Sequence, residues 1–303
     1  MNPTTNRQSR RGALLLTLGA LIWGAAFVAQ SEGGDAIGPY TFNCTRFLMG
    51  GIVLLPVLAL SIREERHLYG DSYRHDPARL RKGGLFCGIA LAIASNLQQV
   101  GITLGTPAGK AGFLTACYII LVPLAGLFLG KKCPARIWIA VAITLAGLYL
   151  LCLSETLSLS GSDLLLLACA AGFTAQILLV DRFAPDCNPI ALSIVEFLTC
   201  GMLTLIPALI LEILPDPAGM LASFQTWDAW LPLLYAGLLS TGVSYTFQII
   251  GQKNVHPTIA SLLMSLESVF AVLSGWLILG ETLSFREGMG CVLIFAAILL
   301  AQI

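Results

Sequence analysis

Long apolar runs, each about twenty residues and separated by short polar clusters, set the pattern of this chain. Ten such runs stand at about 13–31, 38–61, 83–104, 108–129, 135–153, 162–180, 189–212, 230–251, 258–279 and 286–303. At about 1.5 Å of rise per residue, a helix of that length crosses the hydrocarbon core of a bilayer. The breaks carry turn chemistry: Gly-Thr-Pro-Ala-Gly at 105–109, Lys-Lys-Cys-Pro at 131–134, Pro-Asp-Cys-Asn-Pro at 185–189 and Val-His-Pro at 255–257. A segment in lipid must satisfy its own backbone groups, so the runs predict helices. The expected fold class is an all-α polytopic membrane protein with ten transmembrane helices.

Composition agrees. Of 303 residues, 56% are apolar and 11% charged, against roughly 25% charged in soluble domains. Mean hydropathy is +0.82. So little polar cover excludes a soluble enzyme, a nucleic-acid binder and a disordered scaffold. The formal net charge is zero, so no polyanionic partner is implied. Seven of the nine cysteines fall inside apolar runs and none forms Cys-x-x-Cys, so they read as small packing residues rather than disulfide or metal ligands. Arg7, Arg10 and Arg11 precede the first run without a clear cleavage site, which reads as an uncleaved first span.

Basic residues orient the spans. With the N-terminus in the cytoplasm, fourteen of the seventeen Lys and Arg fall on the cytoplasmic side. Lys110 and Arg286 fall outside, and Arg46 lies within a span. That asymmetry predicts both termini in the cytoplasm. The segment 62–82 reads as a solvated cytoplasmic loop.

Sliding the chain by 150 residues brings its halves into register. Leu14-Leu15-Leu16 falls on Leu164-Leu165-Leu166, Pro39 on Pro189, Phe47 on Phe197, Gly51 on Gly201, Gln98 on Gln248, Pro107 on Pro257 and Gly130 on Gly280. The repeats are expected at 1–153 and 154–303. Each holds five spans, an odd number, so the second must enter the membrane from the opposite side. An inverted repeat of this kind is a transporter architecture.

Several stretches are familiar in order and spacing. They are Ile22-Trp23-Gly24-Ala25-Ala26-Phe27-Val28, Cys44-Thr45-Arg46-Phe47, and Ser95-Asn96-Leu97-Gln98-Gln99-Val100-Gly101 leading into Thr106-Pro107-Ala108-Gly109-Lys110-Ala111-Gly112-Phe113. Both halves end alike, in Phe128-Leu129-Gly130-Lys131 and Ile278-Leu279-Gly280-Glu281. Over nearly its whole length the chain resembles the EamA family of the drug/metabolite transporter superfamily, a ten-helix 5+5 fold. The resemblance implies a bacterial inner-membrane carrier of small metabolites, commonly an amino-acid exporter. It does not select a substrate.

Ionisable groups in hydrocarbon cost a few kcal/mol each, so each needs a reason. Three stand out: Arg46, Glu196 and Glu267. Arg46 and Glu196 are mates at offset 150, and two roles stay open: a structural ion pair or anchor, or a gate and carboxylate binder. Burial disfavours a charged carboxylate, so Glu267 is either held neutral by a neighbour or is a site for a proton or a substrate amine. Lys110 lies near a span end. Lys110 and Glu267 fall on equivalent faces of spans 4 and 9, which suggests a cavity holding a zwitterion between them. Asn96, Gln98 and Gln99 in span 3, Tyr118 in span 4, Gln176 in span 6, and Tyr245 and Gln248 with Gln252 in span 8 are candidate cavity-lining polar groups. Trp23 is a mid-span candidate wall, while Trp138, Trp227, Trp230 and Trp276 read as interfacial anchors. Gly84/Gly88 and Gly126/Gly130 have the spacing of close helix contacts. Pro107 and Pro257 are expected to start spans 4 and 9, and Pro56, Pro123 and Pro207 to kink helices.

No His-Glu-x-x-His, Gly-x-Ser-x-Gly or Walker loop occurs, so neither an intramembrane enzyme nor an ATP-driven pump is indicated. No cofactor or metal is expected. A channel lacks its ring of charges, and a phosphate-bearing substrate would call for more intramembrane cations than Arg46 and Lys110. The expected partners are a small-molecule substrate such as an amino acid, the lipid bilayer and a coupling proton. A monomer and a homodimer both stay open, and no dimer interface is indicated.

Overall fold

The computed structural model describes residues 3–69, 76–106, 108–131, 133–152, 160–279 and 284–302. Among them every regular element is helical. Seven helical stretches are long and apolar enough to cross a membrane: Arg7–Ile37, Pro39–Arg63, Pro77–Thr103, Lys110–Phe128, Gly161–Asp186, Pro189–Ile213 and Trp227–Gln252. Two shorter apolar helical stretches, Ala135–Leu150 and Pro257–Leu273, lie between or after them, and Phe285–Gln302 forms a last helix. The chain is a multi-pass helical membrane protein.

The helices are α1 (Pro3–Ile37), α2 (Pro39–Tyr69), α3 (Pro77–Thr103), α4 (Ala108–Ala116), α5 (Tyr118–Phe128), α6 (Ala135–Cys152), α7 (Gly161–Phe183) and α8 (Pro189–Ala208). After α8 come α9 (Pro217–Ser223), α10 (Trp227–Leu234), α11 (Thr246–Gln252), α12 (Pro257–Met264), α13 (Leu266–Leu279) and α14 (Phe285–Gln302). The expected loop 62–82 is shorter than read: α2 runs on to Tyr69 and α3 starts at Pro77. Residues 70–75 lie outside the described residues, as do Pro107, Gly280 and Glu281. The side chain of Trp276 does too.

Caps explain where helices begin. Asp76 accepts from Ala78 N before Pro77, and Asn188 accepts from Ala191 N before Pro189. Ser160 and Asp163 form a reciprocal capping box on α7. His256 Nδ1 accepts from Thr258 N ahead of Pro257, which starts α12. Proline at the first helical position loses nothing, because its amide would have no partner there. The start of α2 differs. Gly38, at φ +81°, has no side chain to cap with, and Glu212 reaches over from the far half of the chain. Glu212 accepts from Tyr40 N at 2.9 Å, from Thr41 N at 2.6 Å and from Thr41 Oγ1 at 2.7 Å.

Tight packing sets α3 against α8. A methyl at Gly84 would lie 2.4 Å from Val195 Cγ1, and one at Gly88 would lie 2.5 Å from Thr199 Cβ. Gly126 and Gly130 do not make the close contact their spacing suggests. Gly126 meets only Lys131 Cβ at 3.8 Å, while Gly130 faces open space at φ +75° and ends its helix. A helix that stops there needs a residue free to adopt the left-handed region.

One large apolar core runs through the bundle, with Leu16, Phe47, Leu91, Ile119, Leu148, Leu166 and Phe197 among its most buried members. The perimeter is also apolar: Leu60, Ile93, Phe128, Val292 and Leu299 stand exposed. Such a surface belongs in lipid, where exposed side chains face hydrocarbon.

Candidate functional site

Three interruptions of regular α-helix meet near the middle of the bundle. The stretch 108–128 breaks at Cys117, between α4 and α5. The stretch 257–279 breaks at Ser265, between α12 and α13. Between α10 and α11, residues Tyr235–Tyr245 wind as π-helix. Short polar side chains account for the breaks. Ser265 Oγ donates to Leu262 O and Ser261 Oγ to Thr258 O, both at 2.8 Å, and Cys117 Sγ donates to Phe113 O at 3.6 Å. Side chains that take helix carbonyls compete with the backbone ladder. The π stretch holds Gly237, Ser240, Thr241, Gly242 and Ser244, and its wide turn frees Ser240 O to accept Trp23 Nε1 at 3.2 Å.

A cavity lies at these breaks. About 40 Å³ of it is open to the centre of a water molecule, room for about three waters. Its apolar wall includes Trp23, Phe27, Phe173, Ile177 and Met264. Trp23 meets Tyr245 edge-on at 4.8 Å, and Tyr245 stacks in turn near Phe47 and Phe197, each about 6.0 Å away. The polar wall holds Gln30, Gln98, Thr115, Gln176, Ser240 and Gln248. Two charged residue types, Arg46 and Glu267, complete it, with Tyr118 beside the carboxylate.

Arg46 is 1% exposed. Its Nε donates to Asn43 Oδ1 at 2.7 Å, and its guanidinium lies 4.5 Å from the centre of the Phe47 ring. Its Nη2 is buried with no hydrogen-bond partner. Cation–π contact offsets part of the cost of burying the charge, and an anionic group in the cavity would offset the rest. Glu267 is 7% exposed and sits in the first turn of α13, where the positive end of a helix favours a carboxylate. Tyr118 Oη donates to Glu267 Oε1 at 3.5 Å, the long limit of a hydrogen bond.

The structure brings together eight of the residues singled out in the sequence: Trp23, Arg46, Gln98, Tyr118, Gln176, Tyr245, Gln248 and Glu267. Four others line no part of the cavity. Lys110 does not face Glu267, because it pairs with Asp163 Oδ2 at 2.6 Å beside the cap of α7. Asn96 accepts from Asn43 Nδ2 and donates to Thr204 Oγ1, stitching α3 to α2 and α8. Gln99 Nε2 donates to Gln30 O at 2.6 Å and ties α3 to α1. Glu196 lies behind the cavity, accepting from Gln176 Nε2 at 2.8 Å. Among the described residues Arg46 and Glu196 form no ion pair: Arg46 Nε turns to Asn43 and its guanidinium to the Phe47 ring, while Glu196 Oε1 turns to Gln176.

Gln30, Thr115, Ser240 and, on the apolar wall, Phe27, Phe173, Ile177 and Met264 were not singled out. Gln30 carried a signal: with Trp23 and Phe27 it makes an i, i+4, i+7 face of one helix. Among the described residues no three His, Cys, Asp or Glu side chains cluster at metal-ligand spacing.

The sequence profile of the EamA-like transporter family matches residues 10–153 and again 160–302. The chain belongs to that family. An uncharacterized transporter of Archaeoglobus fulgidus is 27% identical over 95% of this chain and 84% of its own length. The uncharacterized inner membrane transporter YedA of Escherichia coli (strain K12) is 26% identical over 92% of this chain and 87% of its own. The uncharacterized transporter YwfM of Bacillus subtilis is 26% identical over 95% and 92%. A solved crystal structure superposes with a TM-score of 0.74 at 19% identity over 96% of both chains, a likeness of fold. Membership in this family makes a membrane transporter the coarse functional class.

Proposed function

We propose that this chain is an alternating-access secondary carrier that exports small zwitterionic metabolites, amino acids or close relatives, across a bacterial inner membrane. In this reading ten helices cross the bilayer as two inverted five-helix halves, 1–153 and 154–303, with both termini in the cytoplasm. The observation that carries it is the pairing of Arg46 and Glu267 on one cavity. A substrate carboxylate is matched to the unpartnered guanidinium Nη2 of Arg46. Its ammonium is matched to Glu267, and its side chain to the wall of Trp23, Phe27 and Phe173. Helices broken at a central site are a recurrent way for carriers to bind ions and zwitterions. A phosphorylated substrate is disfavoured, because among the described residues Arg46 is the one cationic side chain on the cavity wall.

A cavity with room for about three waters cannot hold an amino acid. In this reading, loading requires the site to widen from the described conformation. The test is counterflow in proteoliposomes with a panel of labelled amino acids. Exchange is expected, and Arg46→Ala and Glu267→Gln should each lower it at least tenfold, the size of a lost charge-assisted hydrogen bond. Exchange at wild-type rates in both variants would end the zwitterion reading, and no exchange of any amino acid would end the substrate class.

A further inference from the structure

We propose that Glu196 is a proton-binding site whose state is written onto the cavity wall through the Gln176–Gln248 pair. The inference rests on the carrier reading above and deepens it.

Glu196 is fully buried on α8, behind the cavity. Its Oε1 accepts from Gln176 Nε2 at 2.8 Å, and Gln176 Oε1 accepts from Gln248 Nε2 at 2.9 Å. Gln248 Nε2 also donates to Gln252 Oε1 at 3.2 Å, and Gln252 Nε2 reaches Ile177 O at 3.4 Å. Two atoms of this hydrogen-bonded relay are buried without a partner: Glu196 Oε2 and Gln248 Oε1. Gln176 and Gln248 both line the cavity. The groups facing Glu196 are Cys87 of α3, Cys200 of α8 itself and Tyr245. On α2, Arg46 faces Cys200 and Tyr245 and forms no ion pair with Glu196. A proton is thus the simplest way for this carboxylate to change its charge.

A glutamine amide has a donor end and an acceptor end, so its direction must match its neighbour. A carboxylate only accepts, and the described arrangement fits it: Gln176 turns its NH2 to Glu196 and its carbonyl to Gln248. A carboxylic acid donates from one oxygen and accepts at the other, and because Glu196 Oε2 has no partner to receive a proton, the donor falls on Oε1, which faces Gln176. With a proton on Oε1, Glu196 meets the carbonyl of Gln176 instead, and the Gln176 amide turns over. Its NH2 then faces Gln248, which must turn its own carbonyl to it. The long bond from Gln252 to Ile177 O is given up easily, so Gln252 can follow. At the cavity wall the free Gln248 carbonyl is replaced by an NH2. The site changes from acceptor to donor at that point.

A substrate ammonium carries three N–H donors: Glu267 takes one, and the Gln248 carbonyl is the acceptor for a second. Proton and substrate therefore exclude one another although they occupy different atoms. Mutual exclusion on a carrier that alternates is exchange: one proton enters as one substrate leaves. By linkage, the substrate must also drive the proton off.

Two readouts test this with the purified full-length protein. The first needs no substrate. Infrared difference spectra between acid and alkaline pH are recorded for Glu267→Gln with isotope-labelled glutamine side chains, and the same spectra for Glu196→Gln/Glu267→Gln are subtracted. A carboxylic-acid C=O band is expected to grow together with a shift of glutamine amide bands. Gln176→Met should keep the carboxyl band and abolish the shift. A carboxyl band with no glutamine shift, or no carboxyl band at all, overturns the relay. The second readout is the affinity for the amino acid that exchanges in counterflow, with L-leucine as first probe. Affinity should weaken by about tenfold per pH unit on the acid side, and Glu196→Gln should flatten that slope. An equal slope in Glu196→Gln overturns the proposal. Should no amino acid exchange or bind, the carrier reading of the cavity falls and the infrared result still decides the proton site.

Discussion

The two ends of the bundle are fastened differently. At the end remote from the N-terminus, one ion pair with a buried carboxylate and one shared cap do the work. Asp163 is fully buried, bonds Lys110 Nζ at 2.6 Å and also receives Ser160 N at 2.7 Å. Nearby, Thr106 Oγ1 donates to Ser162 Oγ at 2.8 Å, and Glu212 holds the start of α2. At the N-terminal end the fasteners are wetter. Lys131 pairs with Asp181 and Arg79 with Asp186, with side chains 21–53% exposed. Lys253 Nζ bonds Cys187 O at 3.2 Å, and Asn188 Nδ2 bonds Ser61 Oγ at 3.0 Å. A buried charged hydrogen bond is costly to break, whereas exposed pairs contribute little. The remote end is therefore the harder one to open from this conformation.

That contrast can be broken in order of size. Asp163→Asn removes the charge paired to Lys110 and leaves a single side-chain acceptor for Lys110 Nζ and Ser160 N. It should cost about 2 kcal/mol, seen as a lower melting temperature in detergent and faster hydrogen exchange in α4 and the start of α7. Unchanged exchange there would show that the remote end is held by packing alone. Glu212→Gln keeps one acceptor for the start of α2 and loses the charge. About 1 kcal/mol is expected, with faster exchange confined to the first turn of α2. Asp181→Asn should change stability by less than about 1 kcal/mol and leave the remote end protected. A larger effect than that of Asp163→Asn would reverse the comparison.

Much of this was readable from the chain and some was not. Apolar run length located the helices, because the bilayer fixes it and caps such as Asn188-Pro189 mark the edges. Interruptions were not readable. Cys117 and Ser265 sit inside runs whose hydropathy is continuous, and the break depends on which hydroxyl or thiol turns back onto a carbonyl. Polarity in a span identified Arg46, Glu267, Gln98 and Gln248 as candidates without saying which neighbour each would meet. Lys110 shows the limit. Its spacing put it on the face of Glu267's counterpart, but a buried carboxylate at Asp163, placed by the turn before α7, lies closer. Asp163 reads from sequence as an ordinary helix-start acid, so its partner could come only from the tertiary arrangement. Glu212 is the same case. Nothing local to Gly38 says that its missing cap is supplied from more than 170 residues away.

The smallness of the cavity has a consequence for the energetics of turnover. Opening a site with room for about three waters until it admits a substrate means wetting new surface on every cycle, on the glutamine, tyrosine and arginine groups that line it. In the alternating-access carrier proposed above, each passage between the narrow and the widened site is then a hydration reaction, with water as a stoichiometric participant. Solutes excluded from protein surfaces oppose that step. The working rate of such a carrier is thereby tied to the water activity on the side to which it opens, independently of how tightly it holds its cargo.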